Sequence, residues 1–133
     1  MRSPLLLDTH TLLWWSFQPH KLPANVTQMI ESSSTIFVSA VSAYEIAFKH
    51  TKGQLPEAVP LVINFASEMA SNSFELLSVS PAHAQLAGSF DLHHRDPWDR
   101  VLAAQALLEK MVLLSKDDAI DRYGAERLWE EPA

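Results

Sequence analysis

The stretch PLLLDTHTLLWWSF, residues 4–17, joins a short apolar run to an acidic residue and then to a helical pattern. Its three consecutive leucines, Leu5 to Leu7, predict a strand that is buried on both faces, as the strands of parallel sheets are. Thr9 to Phe17 predicts a short helix that ends close to Pro19. Because the strand is followed at once by a helix, with Asp8 at the junction, this stretch is typical of an α/β fold.

The rest of the chain continues the alternation of strands and helices. Further strands are predicted at 35–38, 74–79 and 111–114, with a last edge strand at 127–129. Further helices are predicted at 23–32, 42–52, 57–71, 81–89, 97–110 and 117–123. We therefore expect one α/β domain spanning residues 1–133, with helices on both faces of a central, largely parallel sheet of four to five strands.

Composition limits the classes of function. The chain has no cysteine, which excludes disulfide frameworks and thiolate metal sites and fits a reducing cytoplasm. Its three glycines cannot form the Gly-rich loops that hold nucleotide phosphates. No run approaches the ~20 apolar residues that span a bilayer, so we expect a soluble, cytoplasmic protein without a membrane partner. A formal net charge of -6 counts against nucleic-acid binding unless the basic residues are clustered.

Two acidic residues come shortly after predicted strands. Asp8 follows Leu7 directly, and Asp117 comes third after Leu114. Ligands of open parallel sheets bind beyond the carboxyl ends of the strands, so both side chains are candidates for a site there. Aspartate at a strand end is also a common turn residue and helix N-cap, and for either residue alone this explanation is equally good.

Glu45 lies among apolar residues, in the segment Ala43 to Phe48. It can face solvent and pair with Lys49, four residues later, an arrangement that stabilises a helix by about 0.2–0.5 kcal/mol. It can equally face a cleft, because the local sequence pattern is the same in both cases.

Asp96 and Asp99 open the most apolar helix of the chain, 97–110. Asp96 at the N-cap and Asp99 three residues later resemble a capping box, and both suit the positive end of the helix dipole. The helix that follows is apolar almost all round, which is typical of a buried helix. A buried helix directs an acid of its first turn into a cleft, so Asp99 is the stronger candidate for a functional role.

Several carboxylates in one cleft repel one another unless a cation lies between them. Oxygen ligands without cysteine favour a hard ion, Mg2+ or Mn2+. Such ions orient a phosphodiester and activate water, so a cluster of this kind suits metal-dependent phosphodiester hydrolysis.

Basic residues lie close in sequence to these acids, as in a rim that attracts phosphate. They are Lys49, His50, Lys52, His93, His94, Arg95, Arg100 and Lys116. Ordinary surface ion pairs explain these positions equally well.

Four motifs resemble, in order and spacing, those of PIN-domain proteins, in particular the VapC-like toxin ribonucleases of type II toxin–antitoxin (VapBC) systems. They are LLLDTH at 5–10, SAVSAYEIA at 39–47, HRDPWDRVLAAQA at 94–106 and LSKD at 114–117. The third motif is long and specific, and the four together span nearly the whole chain. Trp98 stands where phenylalanine is commoner in the family. Asp118 follows Asp117 directly, which leaves the last acid ambiguous by one position.

The resemblance implies a PIN-like α/β/α sandwich whose acidic pocket holds Mg2+ or Mn2+. The acidic quartet of the family corresponds to Asp8, Glu45, Asp99 and Asp117. Asp8 and Asp99 would be the most direct metal ligands, and the other two would complete the shell directly or through water. Asp96 corresponds to an extra acid that caps the helix or lies behind the ligands. Ser115 takes the place of a threonine that often lies near the metal.

The same resemblance implies an activity and partners. It implies a metal-dependent endoribonuclease that hydrolyses RNA phosphodiester bonds, forms a homodimer and is inhibited by a cognate antitoxin. The alternative is a catalytically silent PIN-like module that only binds RNA or a protein, although such a module has no need for four acids. An aspartyl-phosphate phosphatase would need an aspartate two residues after Asp8, where His10 stands.

Overall fold

The computed structural model describes residues 3–91 and 96–130 of the chain. Within them, five strands form one sheet that is parallel throughout, in the order β3-β2-β1-β4-β5. The strands are β1 (Leu5–Leu7), β2 (Ile36–Ser39), β3 (Glu75–Leu77), β4 (Val112–Leu114) and β5 (Arg127–Leu128). The α-helices are α1 (Thr9–Phe17), α2 (Ala24–Ser32), α3 (Ala40–Thr51), α4 (Val59–Ile63), α5 (Phe65–Ser71), α6 (Pro81–Ser89) and α7 (Pro97–Glu109). Short 3-10 helices lie at Pro19–Lys21, Pro56–Ala58 and Asp118–Tyr123.

The central strand β1 organises the two cores of the molecule. Leu5, Leu6 and Leu7 are fully buried, and β1 pairs with β2 on one side and β4 on the other. Successive side chains of a strand point to opposite faces, so Leu5 and Leu7 enter one core and Leu6 enters the other. Residues of α1, α2, α4 and α5 complete the first core, and α7 contributes more residues to the second than any other element does. Helices thus cover both faces, and the predicted α/β/α architecture is confirmed.

Most predicted elements are confirmed to within a few residues, and the segment 57–71 is the exception. The prediction of one continuous helix there is wrong, because α4 ends at Ile63 and α5 begins at Phe65. Between them Asn64 leaves the helical conformation, with φ -131 and ψ 49. Asparagine competes with the backbone for hydrogen bonds and so favours helix ends. The predicted last helix is also tighter than expected, since 118–123 is 3-10 helix.

Helix α7 carries the longest of the conspicuous sequence motifs. It begins with Pro97 at its first position and has Asp96 as N-cap, as predicted. It ends at Glu109, and the C-cap Lys110 takes the left-handed conformation with φ 57. With 13 residues it is far shorter than the ~20 that span a bilayer. No other helix in the described part of the chain is long and apolar enough to cross a membrane either.

The buried side chain of Arg100 ties α7 to the end of α6. Its guanidinium donates to the carbonyl oxygens of Ala87, Phe90 and Asp91, at 3.2, 2.6 and 2.6 Å. These carbonyls lie at or just beyond the C-terminal end of α6, where backbone oxygens lack partners within the helix. The prediction that Arg100 belongs to a phosphate-attracting rim is therefore wrong, because its charged group is buried among backbone oxygens.

Replacing Arg100 by lysine should lower the free energy of unfolding by about 2 kcal/mol, because one ammonium group cannot serve three carbonyls as a planar guanidinium does. Urea unfolding followed by circular dichroism measures this difference. Arg122→Lys, at an exposed arginine, is the matched control and should unfold like the unmodified protein. Equal urea midpoints for the two variants would contradict the role assigned to Arg100.

Candidate active site

An acidic cleft of about 700 Å³ opens at the carboxyl ends of β1 and β4. The two strands are neighbours although the chain passes through β2 and β3 between them, and open α/β sheets bind ligands at such a reversal of strand order. The cleft is lined by Asp8, Thr9, His10, Trp14, Glu45, Lys49, Asp96, Asp99, Lys116, Asp117 and Asp118. All five acids predicted from the sequence therefore meet on one surface.

Asp8 stands at the junction of β1 and α1. Its backbone N–H donates to the carbonyl of Leu114 at 3.2 Å, and its carboxylate caps α1 by accepting from the N–H of Thr11 at 2.8 Å. The hydroxyl of Thr11 donates to the same Leu114 carbonyl at 2.7 Å. The end of β4 is thereby tied to the residue that carries the first carboxylate of the cleft.

Glu45 reaches the cleft from α3 and is only 7% exposed. The hydroxyls of Thr9 and Ser42 share a hydrogen bond of 2.9 Å, which fixes the start of α1 against α3 one helical turn before Glu45. Nζ of Lys49 lies 2.8 Å from Oε2 of Glu45. The interpretation that Glu45 faces a cleft is therefore the correct one, and the predicted pairing with Lys49 occurs within that cleft.

Asp96 and Asp99 have different local roles at the start of α7. The carboxylate of Asp96 caps the helix by accepting from the N–H of Trp98 at 2.9 Å. Asp99 lies in the first turn, is half-buried, and shares a side-chain hydrogen bond with Asp117 from the other side of the cleft. The acid on the helix is thus in contact with the acid on the loop after β4.

Ser115 is fully buried and links Asp8 to Asp117. Its hydroxyl donates to the carboxylate of Asp8 and accepts from the backbone N–H of Asp117 at 3.1 Å. Arg127 donates to the carbonyl of Ser115 at 3.0 Å and binds both carboxylate oxygens of Asp121, at 2.8 and 3.0 Å. The hydrogen bond from Arg127 holds the pKa of Asp121 below its usual range. The edge strand β5 thereby braces the loop that carries Asp117.

Burial and crowding disfavour negative charge on two of the acids. Burial raises the pKa of Asp8, and hydrogen bonds from neighbouring side chains offset part of that effect. Burial, followed by the negative charge of Asp96 and by contact with Asp117, raises the pKa of Asp99 to about 8. At neutral pH a proton is therefore bound where the carboxylates of the cleft meet.

The groups that line the cleft suit a hard divalent cation, because carboxylate oxygens dominate, no methionine lines the cleft and the chain has no cysteine. Within residues 3–91 and 96–130, however, no three acidic or histidine side chains stand close enough together to form a ready-made metal site. Glu45 is paired with Lys49, and Asp99 is bonded to Asp117. Metal binding therefore requires these contacts to be exchanged for contacts between oxygen and metal.

The cleft contains three residues, Thr9, His10 and Trp14, that the sequence interpretation did not single out for it. His10 and Trp14 line it from α1, and their spacing of four residues directly after Asp8 is a signal that they share one face of the helix. Of the predicted basic rim, Lys49 and Lys116 do line the cleft. His93, His94 and Arg95 lie outside the residues that the structure describes.

Comparison with known proteins identifies the family. The family model described as PIN domain matches residues 5–126. This chain belongs to the PIN domain family. The resemblance inferred from the four sequence motifs is thereby confirmed, and the match includes every acid of the cleft.

Individual PIN relatives extend this similarity. Ribonuclease VapC22 of Mycobacterium tuberculosis is 29% identical over 116 residues, which cover 86% of this chain and 88% of that protein. The crystal structure of FitAcB from Neisseria gonorrhoeae has a TM-score of 0.65 and 14% identity, covering 92% of this chain and 95% of that one. DNA-bound VapBC from Salmonella typhimurium has a TM-score of 0.64 and 19% identity, covering 95% and 96%. At these identities the two structures support the fold.

The raised pKa of Asp99 predicts that the metal-free PIN domain loses stability as pH rises from 5 to 8. Between the ordinary aspartate pKa of 3.8 and about 8, the folded state keeps a proton that the unfolded state releases, so unfolding becomes easier with increasing pH. The slope contributed by one proton is at most about 1.4 kcal/mol per pH unit. Asp8 acts in the same direction.

Urea unfolding in EDTA at several pH values measures this slope. Asp99→Asn should flatten it, whereas Asp118→Asn, at an exposed residue of the same cleft, should preserve it. An Asp99→Asn variant with the full slope would show that the proton resides elsewhere.

Proposed function

We propose that this PIN-domain chain is a metal-dependent endoribonuclease that hydrolyses RNA phosphodiester bonds and acts as the toxin of a toxin–antitoxin pair. The observation that carries the proposal is the meeting of five acids on one cleft at the carboxyl ends of β1 and β4. The similarity to Ribonuclease VapC22, over most of both chains, supports the choice of RNA as substrate.

Asp8 and Asp99 are the residues that would hold Mg2+ or Mn2+ most directly, with Glu45 and Asp117 completing the shell directly or through water. When bound, the cation supplies positive charge beside the scissile phosphate and eases the loss of a proton from the attacking water. Burial and crowding favour a proton on Asp99 in the metal-free chain, and this proton would be released if Asp99 held a cation. Asp96 keeps its role as helix cap behind the ligands.

The remaining chemistry belongs to side chains of the chain itself. Ser115 and Thr11 hold the Asp8 carboxylate in one orientation by hydrogen bonds. Once Glu45 exchanges its contact with Lys49, its carboxylate can accept a hydrogen bond from the attacking water, and the freed ammonium group can bind phosphate. Water then forms a bond to phosphorus and releases a proton to solvent, while the bond from phosphorus to the leaving ribose oxygen breaks and that oxygen takes up a proton from solvent. The RNA strand is thus cut without a covalent enzyme intermediate.

Cleavage of a panel of RNAs by the purified chain tests the proposal. We expect cleavage with Mg2+ or Mn2+ and none with EDTA. Asp99→Asn and Asp117→Asn should each lower the rate by at least about 100-fold, because each removes a carboxylate from the centre of the cluster. Asp118→Asn is the control, since Asp118 is exposed at the edge of the same cleft, and it should cleave like the unmodified protein.

The outcomes separate the candidate functions. Full activity in Asp99→Asn, or cleavage unaffected by EDTA, would overturn the assignment of the site. Metal binding measured by calorimetry provides a second readout that does not depend on finding the right RNA. A chain that binds neither Mg2+ nor Mn2+ and cuts no RNA would be a silent binding module.

The proposed partner is an antitoxin that occupies the same cleft. Several proteins of similar fold have been solved as VapBC or FitAB complexes, and this supports such a partner for the present chain. The carboxylates of the cleft would be complementary in charge to any basic segment that such an antitoxin presents. A segment bound there would exclude RNA from the acids.

The proposed homodimer is supported by an aromatic patch that consists of Tyr44, Phe48 and Trp98. Tyr44 and Phe48 are 54% and 46% exposed, and their rings stack at 5.9 Å on the outer side of α3. Trp98 of α7 lies 4.7 Å from Tyr44, between ring centroids. Exposed aromatic surface of this kind is typical of protein interfaces.

Phe48→Glu should therefore convert a dimer into a monomer, because it places a charge within the aromatic patch. Size-exclusion chromatography with light scattering gives the mass directly. Ile63→Glu is the control, since Ile63 is 69% exposed on α4 and lies outside the patch, and this variant should remain dimeric. A dimeric Phe48→Glu, or a monomeric unmodified chain, would contradict the proposed interface.

A further inference from the structure

Two lysines from distant parts of the sequence converge on one aromatic ring at the edge of the cleft. Nζ of Lys21 and Nζ of Lys116 each lie 5.7 Å from the centroid of the Trp14 ring. Lys21 ends the 3-10 turn that follows α1, and Lys116 lies in the loop between β4 and Asp117. Ammonium groups at this distance are attracted by the negative face of an indole.

Lys116 stands next to Asp117 in the sequence and lines the cleft, as predicted for the basic rim. Among the residues that the structure describes, neither Lys116 nor Lys21 forms an ion pair with a carboxylate. Lys49, on α3, does form one with Glu45 at 2.8 Å. The ring of Trp14 therefore lies beside two exposed ammonium groups that form no ion pair with the described acids of the cleft.

The ring of Trp14 is set apart from the Asp8 carboxylate along α1 and packs against the first core. Trp14 is six residues after Asp8, which corresponds to about 9 Å along α1. The ring is half-buried and packs against the first core, and it also contacts His10 and Trp129 at 6.1 and 5.9 Å. The aromatic anchor is therefore fixed by packing, while the lysine side chains remain in contact with water.

We propose that Lys21 and Lys116, positioned by the ring of Trp14, bind the RNA backbone at phosphates flanking the one that is cleaved. This inference rests on the proposed ribonuclease function and adds a substrate subsite to it. The acids repel a polyanion, and two unpaired ammonium groups beside them supply the attraction that guides the strand into the cleft. Lys21 and Lys116 are binding residues, and Trp14 is a positioning residue that acts through them.

Binding of a fluorescent single-stranded RNA to the full chain tests the subsite. The protein carries Asp99→Asn so that the RNA stays intact, and affinity is measured at several salt concentrations. Lys21→Gln and Lys116→Gln should each reduce the slope of log affinity against log salt by about 0.7, and the double variant by about 1.4. Lys110→Gln, at the far end of α7, is the charge-matched control and should leave the slope unchanged.

Substitution of Trp14 tests whether its ring positions the two lysines or only packs against the core. Trp14→Leu should lower the slope nearly as far as the double lysine variant, and Trp14→Phe should restore it, because phenylalanine keeps an aromatic face. In the chain with intact Asp99, the lysine variants should raise KM for RNA cleavage and leave kcat nearly unchanged. Thermal unfolding identifies any ring variant that fails to fold, and the lysine variants test the subsite independently of it.

The subsite and the nuclease can fail separately in these assays. Metal-dependent cleavage with a KM and salt slope that neither lysine affects would overturn the subsite and leave the nuclease standing. Loss of RNA affinity in the lysine variants, with no cleavage under any metal condition, would uphold the subsite and overturn the nuclease. RNA affinity equal to that of Lys110→Gln in every variant would overturn the subsite.

Discussion

The carbonyl oxygen of Leu114 accepts two hydrogen bonds from one short segment, one from the N–H of Asp8 and one from the hydroxyl of Thr11. These bonds join the carboxyl ends of β1 and β4, which are neighbours in the sheet but lie more than a hundred residues apart in the chain. The site depends on this junction, because Asp8 caps α1 from one side of it and Ser115 continues β4 on the other. Without these two hydrogen bonds the chain would still contain the same acids, but the acids would no longer be held together at one cleft.

Close to that junction the fold buries carboxyl groups, and burial raises the free energy of their charged form. Burial raises the pKa of both Asp8 and Asp99, and the acids nearby raise that of Asp99 further. A structural role alone would not require this arrangement, since a cap such as Asp96 works at a partly exposed helix end with one N–H donor. The unfavourable electrostatics are explained if the cluster is suited to a cation, and protonation of Asp99 is then the metal-free state of the same site.

The sequence predicts the architecture well because the signals are local and strong. Three leucines at 5–7 indicate a doubly buried strand, and the N-cap and proline signals at Ser80 and Asp96 mark the starts of α6 and α7. The break at Asn64 escapes prediction because a single polar residue in a helical pattern is common, and only the tertiary path of α4 and α5 requires the helix to end there.

The sequence predicts that the acids lie together at the end of the sheet, but it predicts the positions of the basic residues only in part, since Lys49 and Lys116 line the cleft and Arg100 does not. A carboxylate at the end of a strand or at a helix N-terminus is placed by the backbone, so its location follows from the secondary structure. The contacts of long, flexible basic side chains depend on which groups the folded chain brings within their reach. Arg100 turns inward to the carbonyls at the end of α6, whereas Lys116 turns to the ring of Trp14. Neither of these two contacts can be predicted from the spacing of residues along the chain.

In the motif HRDPWDR, residues that stabilise the fold stand next to a residue of the acidic cleft. Asp96 caps α7, Asp99 enters the acidic cluster, and Arg100, the next residue, holds the end of α6. Successive residues of a helix point in directions about 100° apart, so neighbours in the sequence serve different surfaces. The position of Asp99 in the cleft is then coupled to the packing of α6 through Arg100, because both side chains leave the same turn of α7. Loss of the arginine would therefore loosen the wall of the cleft without removing any group that contacts substrate.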